Sequence, residues 1–366
     1  MYDVVLQVPL LEMPWEDFAL LFITALAGGA FGAAIGALPA FIFTGFVVFL
    51  GEGLAILQRE VGAASGAVNP GELAAGVTGV IGFGAVTGPH IAFAGGVAAS
   101  AYAGKKYPEM EPDGWDYHFG KNILYAFGTK PDILAVGAIF GALGMLINQF
   151  GAAVLVASGT GLTDTIALSV VATAVIARVA FGYPLIGRSA GSSIMDMSPF
   201  ENEESHPEAV ADGGEVPMEH KGRLATEPWL PHQYKWSGVT AIGLVGGLLG
   251  GYIYIQTGSI FLGYGISAIS LLFLNLGVEK IPVTHHITLI GAVGAVVFLP
   301  EAGAVAALLA AGVFGAISGL LGELTQRIMY AHSGTHVDPP AMAIAIAMII
   351  VAVLSIAGVF PNAGYL

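Results

Sequence analysis

The residues most able to carry chemistry in this sequence are polar side chains beside two interruptions of long apolar segments. They are Thr87, Pro89 and His90 at the first interruption, and Thr284, His285 and His286 at the second. Ionisable groups are costly at membrane depth, so each histidine is a candidate functional group. A histidine at such a break could relay a proton, bind an oxyanion or ligate a cation. The structural alternative is a ring that bonds a backbone carbonyl freed by the break.

Single aspartates lie at the predicted starts of several apolar helices. Asp132 follows a proline, and Asp338 precedes two prolines. Proline suits the first turn of a helix, and a carboxylate there complements the helix dipole. This structural role accounts for both residues, and a cation or proton site is the functional alternative. Asp164 is expected to cap the helix that follows it.

His332, His336 and Asp338 form a cluster whose residue types could bind a metal. Side chains four positions apart share a face of a helix and could ligate one ion. Gly334 and the later prolines argue against a continuous helix here, so an aqueous loop is the preferred interpretation. The chain has no cysteine, which excludes thiolate ligands and disulfides. No cofactor is predicted, although the aspartates and histidines could hold a bound cation.

The elements that must position these residues are predicted to be membrane helices. Of the 366 residues, 55% are hydrophobic and only 10% are charged, and the mean hydropathy is +0.79. Apolar runs of roughly 20 residues recur, which is the length needed to cross a hydrocarbon core. Helices satisfy their own backbone hydrogen bonds, and the alternation typical of a β-barrel is absent. The sequence predicts an all-α polytopic bundle of about nine or ten spans in a lipid bilayer.

Two hydrophobic regions flank one long hydrophilic segment. Residues 1–186 and 237–366 are predicted to be transmembrane regions, and residues 187–236 a flexible acidic linker. Within the first region, the segment 73–104 is broken at Pro89 by residues that cannot complete a helix. One half of this segment is expected to dip into the bilayer and return, while the other half crosses.

The two hydrophobic regions have a similar order of elements, which indicates an internal repeat. Each has a pair of adjacent spans, a short broken element, a span, a polar break and a final span. The sequence GTKPD at 128–132 also resembles GTHVD at 334–338. An odd number of crossings is expected before the second region, so the halves would be inverted. Inverted repeats with paired broken helices are typical of secondary transporters. Chance similarity between Gly-rich and Ala-rich sequences is the alternative.

The distribution of charge limits the partners and sets an orientation. The net charge of −14 excludes a basic nucleic-acid surface. It suggests the proteome of a high-salt organism, with an ordinary acidic loop as the alternative. The Lys and Arg residues of 105–121 and 188–235 are expected on the cytoplasmic side. The N-terminus then lies outside the cell membrane, and the segment 187–236 lies inside.

These features predict a permease or channel for a small solute or ion, rather than an enzyme. The site would lie between the elements 73–104 and 282–299, with His90 and His286 lining it. The absence of a Gly-rich phosphate-binding motif argues against ATP-driven transport within this chain. The alternatives are a membrane-embedded metal-dependent enzyme and an accessory membrane subunit without a substrate. The sequence is also compatible with a homo-oligomer.

Overall fold

The protein is a bundle of apolar helices, and the computed structural model describes residues 7–65, 75–157, 161–206 and 222–366. A short hairpin precedes the first helix and consists of β1 (Gln7–Val8) and β2 (Met13–Pro14). The helices of the first half are α1 (Trp15–Ile35), α2 (Ala37–Ser65), π1 (Ala75–Gly82), π2 (Pro89–Phe93), α3 (Ala94–Lys106), α4 (Pro131–Ala157) and α5 (Thr165–Ala180). The later helices are α6 (Ser198–Glu201), α7 (Trp236–Thr257), α8 (Leu262–Asn275), α9 (His285–Met329) and α10 (Pro339–Ile356).

Six helices within these described ranges are long and apolar enough to span a membrane. They are α1, α2, α4, α7, α9 and α10, and the apolar helices α5 and α8 are shorter. Strand is confined to the short hairpin and one isolated bridge among the described residues. The prediction of an all-α bundle with transmembrane helices is confirmed to this extent.

The interrupted segment that contains π1, π2 and α3 lies alongside α2 and keeps one direction along its length. Gly51 lies against Thr78, and the Thr44 hydroxyl donates a hydrogen bond to the carbonyl of Thr87. Residues later in the segment contact earlier residues of α2, as where Gly96 lies against Ala37. The segment therefore runs antiparallel to α2 across its interruption. These contacts differ from the expected dip and return, because the chain continues in the same direction after the break.

Helix α9 reverses direction within its 45 residues. A straight helix of this length would extend about 68 Å, roughly twice the thickness of a hydrocarbon core. Gly303 has a φ of +77°, which breaks the helix three residues after Pro300. Glycine suits this conformation because it has no Cβ. The stretches 285–302 and 304–329 both pack against α7.

Small residues bring the long helices into close backbone contact. In the first half, Gly29 of α1 lies against the backbone of Gly137 and Gly141 of α4. In the second half, Gly247 of α7 lies against Gly315 of α9 in the same manner. Without side chains in the way, helices approach closely and gain van der Waals contact in a membrane.

The described parts of the hydrophilic segment 187–236 pack against the loop ends of the bundle. The Arg327 guanidinium donates hydrogen bonds to the carbonyls of Met195 and Tyr234. Arg223 forms an ion pair with Glu111 of the loop between α3 and α4. The sequence predicted a flexible linker here. The described parts of the segment are instead held at the bundle by hydrogen bonds and an ion pair of the buried residues Arg327 and Arg223. Residues 207–221 lie outside the described ranges.

Candidate functional site

A cavity of about 660 Å³ lies between the two interrupted segments of the bundle. Pro89 reaches it from the first interruption, and Val283 and His285 reach it from the second. Exposed residues of the loop between α3 and α4, Gly114 and Asp116, line its mouth. Small-molecule sites usually enclose about 300–1,000 Å³ and have mostly apolar walls. The cavity therefore has the size of a site for a small solute.

Helices from both halves begin at the wall of this cavity. Helix α5 begins after Asp164, whose Oδ1 accepts a hydrogen bond from the Ala167 N–H at 2.7 Å. Helix α10 begins after Asp338, whose Oδ2 accepts one from the Ala341 N–H at 2.9 Å. The predicted cap at Asp164 is thus confirmed. Both carboxylates satisfy backbone donors that a helix leaves free at its start.

Two further helices begin at the cavity without a side-chain cap. They are π2, which begins at Pro89, and α9, which begins at His285. The N-terminus of a helix carries a partial positive charge and free N–H groups. The cavity wall therefore combines two capping carboxylates with two helix starts that have no side-chain cap.

His336 is paired with one of the capping carboxylates. Its Nε2 lies 3.1 Å from Oδ1 of Asp338, and its ring is 1% exposed. The ring meets Phe93 and Tyr330 edge-on, with centroids 5.8 and 5.3 Å away. All four of these residues line the cavity. Nδ1 of His336 is buried and has no hydrogen-bond partner among the described residues.

The other capping carboxylate is bound by the C-terminal segment. The Tyr365 hydroxyl donates a hydrogen bond to Oδ2 of Asp164 at 2.7 Å. Tyr264 of α8 lines the same cavity as Asp164 and Asp338. One cavity is therefore lined by two capping carboxylates, with one contributed by each half of the chain.

Of the three histidines predicted at the interruptions, His285 is the one that lines the cavity. Its ring centroid lies 4.6 Å from that of Phe41 and 5.5 Å from that of Tyr264. The residue is 6% exposed, and its Nδ1 has no partner within the described part of the chain. Asp338 lines the same cavity.

His90 and His286 lie behind the cavity wall rather than on it. Both are buried, and neither is among the residues that line the cavity. The carbonyl of His90 packs on Gly144 of α4, and the carbonyl of His286 accepts a hydrogen bond from Ser318 at 3.0 Å. These contacts fix the starts of the two interrupted helices against the bundle.

The predicted threonines bond to the chain around each interruption. The Thr87 hydroxyl donates to the carbonyl of Ile81 at 2.9 Å. The Thr284 hydroxyl lies 2.5 Å from that of Ser267 on α8. Neither threonine lines the cavity. Their role in the structure is to satisfy polar groups where the helical ladder stops.

Asp132 lies away from the cavity, at the start of α4. Its Oδ2 accepts hydrogen bonds from the hydroxyls of Tyr107 at 2.6 Å and Tyr102 at 3.1 Å. Lys106 completes this cluster at 3.3 Å. The two aspartates that share a site are therefore Asp164 and Asp338, whereas the sequence pointed to Asp132.

The candidate metal ligands His332, His336 and Asp338 do not converge on one point in the structure. His332 lies 3.0 Å from the carbonyl of Ile194 through its Nε2, while His336 bonds Asp338. Across the described ranges, no group of three or more His, Asp and Glu residues could hold a metal ion.

A buried ion pair lies beside the loop mouth of the cavity. Nζ of Lys121, which lines the cavity, is 2.7 Å from Oε2 of Glu227 and 4.6 Å from the ring centroid of Tyr330. Burial lowers the pKa of Lys121 to about 8, and the attraction of Glu227 opposes this shift only in part. No pattern in the sequence indicates this pair, because its members are far apart along the chain. Asp164, in contrast, shares with Asp338 a position directly before an apolar helix, and this signal could have identified it.

No curated protein and no solved structure matches this chain. A family model described as a family of unknown function matches residues 10–366, which is almost the entire sequence. The chain therefore belongs to this family of unknown function, DUF7973.

Proposed function

We propose that the protein is a membrane permease or channel for a small solute, which binds in the central cavity. The observation that carries this proposal is that both interrupted segments reach one cavity, through Pro89 and Val283. Irregular backbone at membrane depth is tolerated where it is buried in protein or lines a cavity. Many secondary transporters place their substrate site at paired broken helices of this kind.

The packing of the first interrupted helix supports an internal repeat, which is part of this proposal. In α1, Gly28 lies against Ile91, and Gly32 lies against the carbonyl of Ala92. The small residues allow the start of the interrupted helix to approach the backbone of α1.

The second half repeats this contact at the same spacing. In α7, Gly246 lies against Ile287, and Gly250 lies against the carbonyl of Thr288. Two glycines four positions apart therefore contact two consecutive residues in each half. By this correspondence His90 and His286 are equivalent, since each directly precedes the contacting isoleucine.

The packing between the halves supports their inversion. Helices α2 and α8 are the second helices of their halves, and they lie side by side. Gly45 lies against Ala268, and Gly265 lies against Phe49, so the two helices run antiparallel. Equivalent helices that run in opposite directions are the property of an inverted repeat. Relative motion of the two halves would then open the cavity alternately to each side of the membrane.

The orientation that we propose places the basic loops inside the cell. The loop 107–130 and the described parts of 187–235 meet at one end of the bundle, where Arg223 pairs with Glu111. Cytoplasmic loops are enriched in Lys and Arg. The N-terminus would then lie on the outside, and the cavity mouth at Asp116 would face the cytoplasm.

Accessibility of introduced cysteines tests the proposed function, because the natural chain has no cysteine. Ala167→Cys and Ala341→Cys place a thiol on the cavity wall. The matched control Ala352→Cys lies on α10 with Ala341, is fully buried and does not line the cavity. In reconstituted vesicles, we expect a membrane-impermeant methanethiosulfonate to modify both cavity thiols and to spare the control. Protection of both cavity thiols from reagent on either side would contradict a solute pathway.

A further inference from the structure

We propose that the cavity binds a solute carrying a primary ammonium group, an inference that rests on the proposed permease function. Two carboxylates, Asp164 and Asp338, lie on the cavity wall, and a third, Asp116, lies at the mouth. Lys121 is the only Lys or Arg among the described residues that line the cavity, and Glu227 already pairs with this ammonium at 2.7 Å. The described lining therefore supplies no free cation to neutralise the two carboxylates.

His336 adds a buried acceptor to the same wall. Its Nε2 lies 3.1 Å from a carboxylate oxygen of Asp338, so Nε2 is the ring nitrogen that donates there. In the neutral tautomer that makes this hydrogen bond, Nδ1 carries a lone pair, and this atom is buried without a partner among the described residues. A buried polar atom without a hydrogen bond is destabilising, which makes a donor on the ligand favourable here. An N–H of a primary ammonium would supply this donor, whereas an anion would not.

Aromatic rings complete the environment that an ammonium group prefers. Cations are attracted to the faces of aromatic rings within about 6 Å of the centroid. The cavity is lined by Phe41, Phe93, Trp229, Phe261, Tyr264 and Tyr330. The Lys121 ammonium lies 4.6 Å from the centroid of Tyr330 and beside a carboxylate. The wall thus already holds one ammonium group by the chemistry that we propose for the solute.

The uncapped start of α9 decides which ammonium solutes the test must include. His285 begins this helix at the cavity and no side chain caps the helix, so its positive end would attract a carboxylate. A zwitterion would place its carboxylate there and its ammonium near Asp338. A simple amine would place its ammonium group near Asp338 and would leave the start of α9 without a ligand. Zwitterions and simple amines both contain the ammonium group that we propose.

The experiment uses two matched pairs of compounds with the full chain in lipid nanodiscs. In each pair an ammonium group is replaced by a methyl group: 5-aminopentan-1-ol against hexan-1-ol, and 5-aminovalerate against hexanoate. A ligand that binds the folded state raises the unfolding temperature as its concentration rises. We expect at least one ammonium compound to bind tenfold or more tightly than its methyl counterpart.

Three variants assign this preference to the two carboxylates. Asp164→Asn and Asp338→Asn keep an oxygen that can cap the helix but remove the charge, so we expect at least tenfold weaker binding. The control Asp17→Asn removes an exposed carboxylate from the first turn of α1, and we expect unchanged binding. Unaltered melting temperatures without ligand would show that all three variants are folded.

Three results would overturn the ammonium proposal. They are equal binding within both pairs, tighter binding of the methyl compound in both pairs, and no stabilisation of the folded wild type by either ammonium compound. If any of these occurs while the cavity cysteines remain reactive, the substrate class is wrong and the permease proposal stands. If the cavity cysteines are unreactive, the proposed function fails whatever the compounds do.

Discussion

Lys121 and Glu227 form an ion pair whose side chains are only 1% and 7% exposed. Removal of one partner from a buried pair leaves an uncompensated charge and costs about 3–5 kcal/mol. We expect Lys121→Met to lower the free energy of unfolding by about this amount, measured by denaturation in mixed micelles. The double variant Lys121→Met, Glu227→Gln should recover most of the loss. An unchanged stability of the single variant would show that the pair is solvated.

The same lysine gives the stability a dependence on pH. Its pKa is lowered from 10.5 to about 8 in the folded state, chiefly because burial disfavours the charged form. Between these two values the unfolded state binds more protons than the folded state, so the Lys121 contribution raises the free energy of unfolding as pH increases. We expect this rise in the wild type relative to Lys121→Met. A wild-type profile parallel to that of the variant would contradict the shift.

Among single residues, the sequence pointed to several that line the cavity, but it did not predict which faces of the helices line it. It pointed to the interruptions, and Pro89, His285 and Asp338 do line the cavity. Adjacent residues on a helix point about 100° apart, so only one of two neighbouring histidines can face a given site. The choice between His285 and His286 depends on the packing of α9 against α7, and spacing along the chain does not encode it.

At the scale of elements, glycines set the depth at which the interrupted helices pack. A Cβ on Gly32 would lie 1.8 Å from the carbonyl oxygen of Ala92, and one on Gly250 would lie 2.1 Å from that of Thr288. Overpacking of this kind typically costs about 1–3 kcal/mol, and more where backbone must move. We expect Gly32→Ala and Gly250→Ala each to lower the unfolding midpoint and to separate α1 or α7 from its partner.

A glycine in open space provides the control for these substitutions. A Cβ on Gly53 of α2 would meet nothing within 4 Å. Alanine has the higher helix propensity, so Gly53→Ala should leave the midpoint unchanged or raise it slightly. Destabilisation of Gly53→Ala equal to that of Gly32→Ala would mean that close packing is not the cause.

Composition predicted the elements better than it predicted their paths. Long apolar runs identified the spanning helices, because length and hydropathy are local properties. The path of the segment 75–106 depends on α2, where the Thr44 hydroxyl bonds the carbonyl of Thr87 across the interruption. The Gly88-Pro89 pair predicts a break, but it does not predict whether the chain turns back there.

At the scale of the whole molecule, the hydrophilic segment 187–236 makes contacts with the bundle that its composition does not predict. Its acidic and Pro-rich sequence is typical of flexible chain. Its described parts are nevertheless held at the bundle through Glu227, which pairs with Lys121, and through Met195 and Tyr234, whose carbonyls bind Arg327. These partners are contributed by other parts of the chain, so composition alone does not predict that the described parts of the segment are held at the bundle.

The reversal of α9 at Gly303 and the proposed inversion of the halves together predict the sidedness of exposed positions. Asp113 and Asn202 belong to the basic end of the bundle, whereas Glu301 lies at the reversal, and all three are exposed. In sealed vesicles of known orientation, we expect Asp113→Cys and Asn202→Cys to react with impermeant reagent from the cytoplasmic side. Glu301→Cys should react from the other side, because the stretch 285–302 leaves the basic end and 304–329 returns to it.

Reaction of all three from one side would contradict the inverted arrangement. An exchange of the two sides would leave the inversion intact and reverse only the proposed orientation, since the contacts between helices do not depend on which face is cytoplasmic.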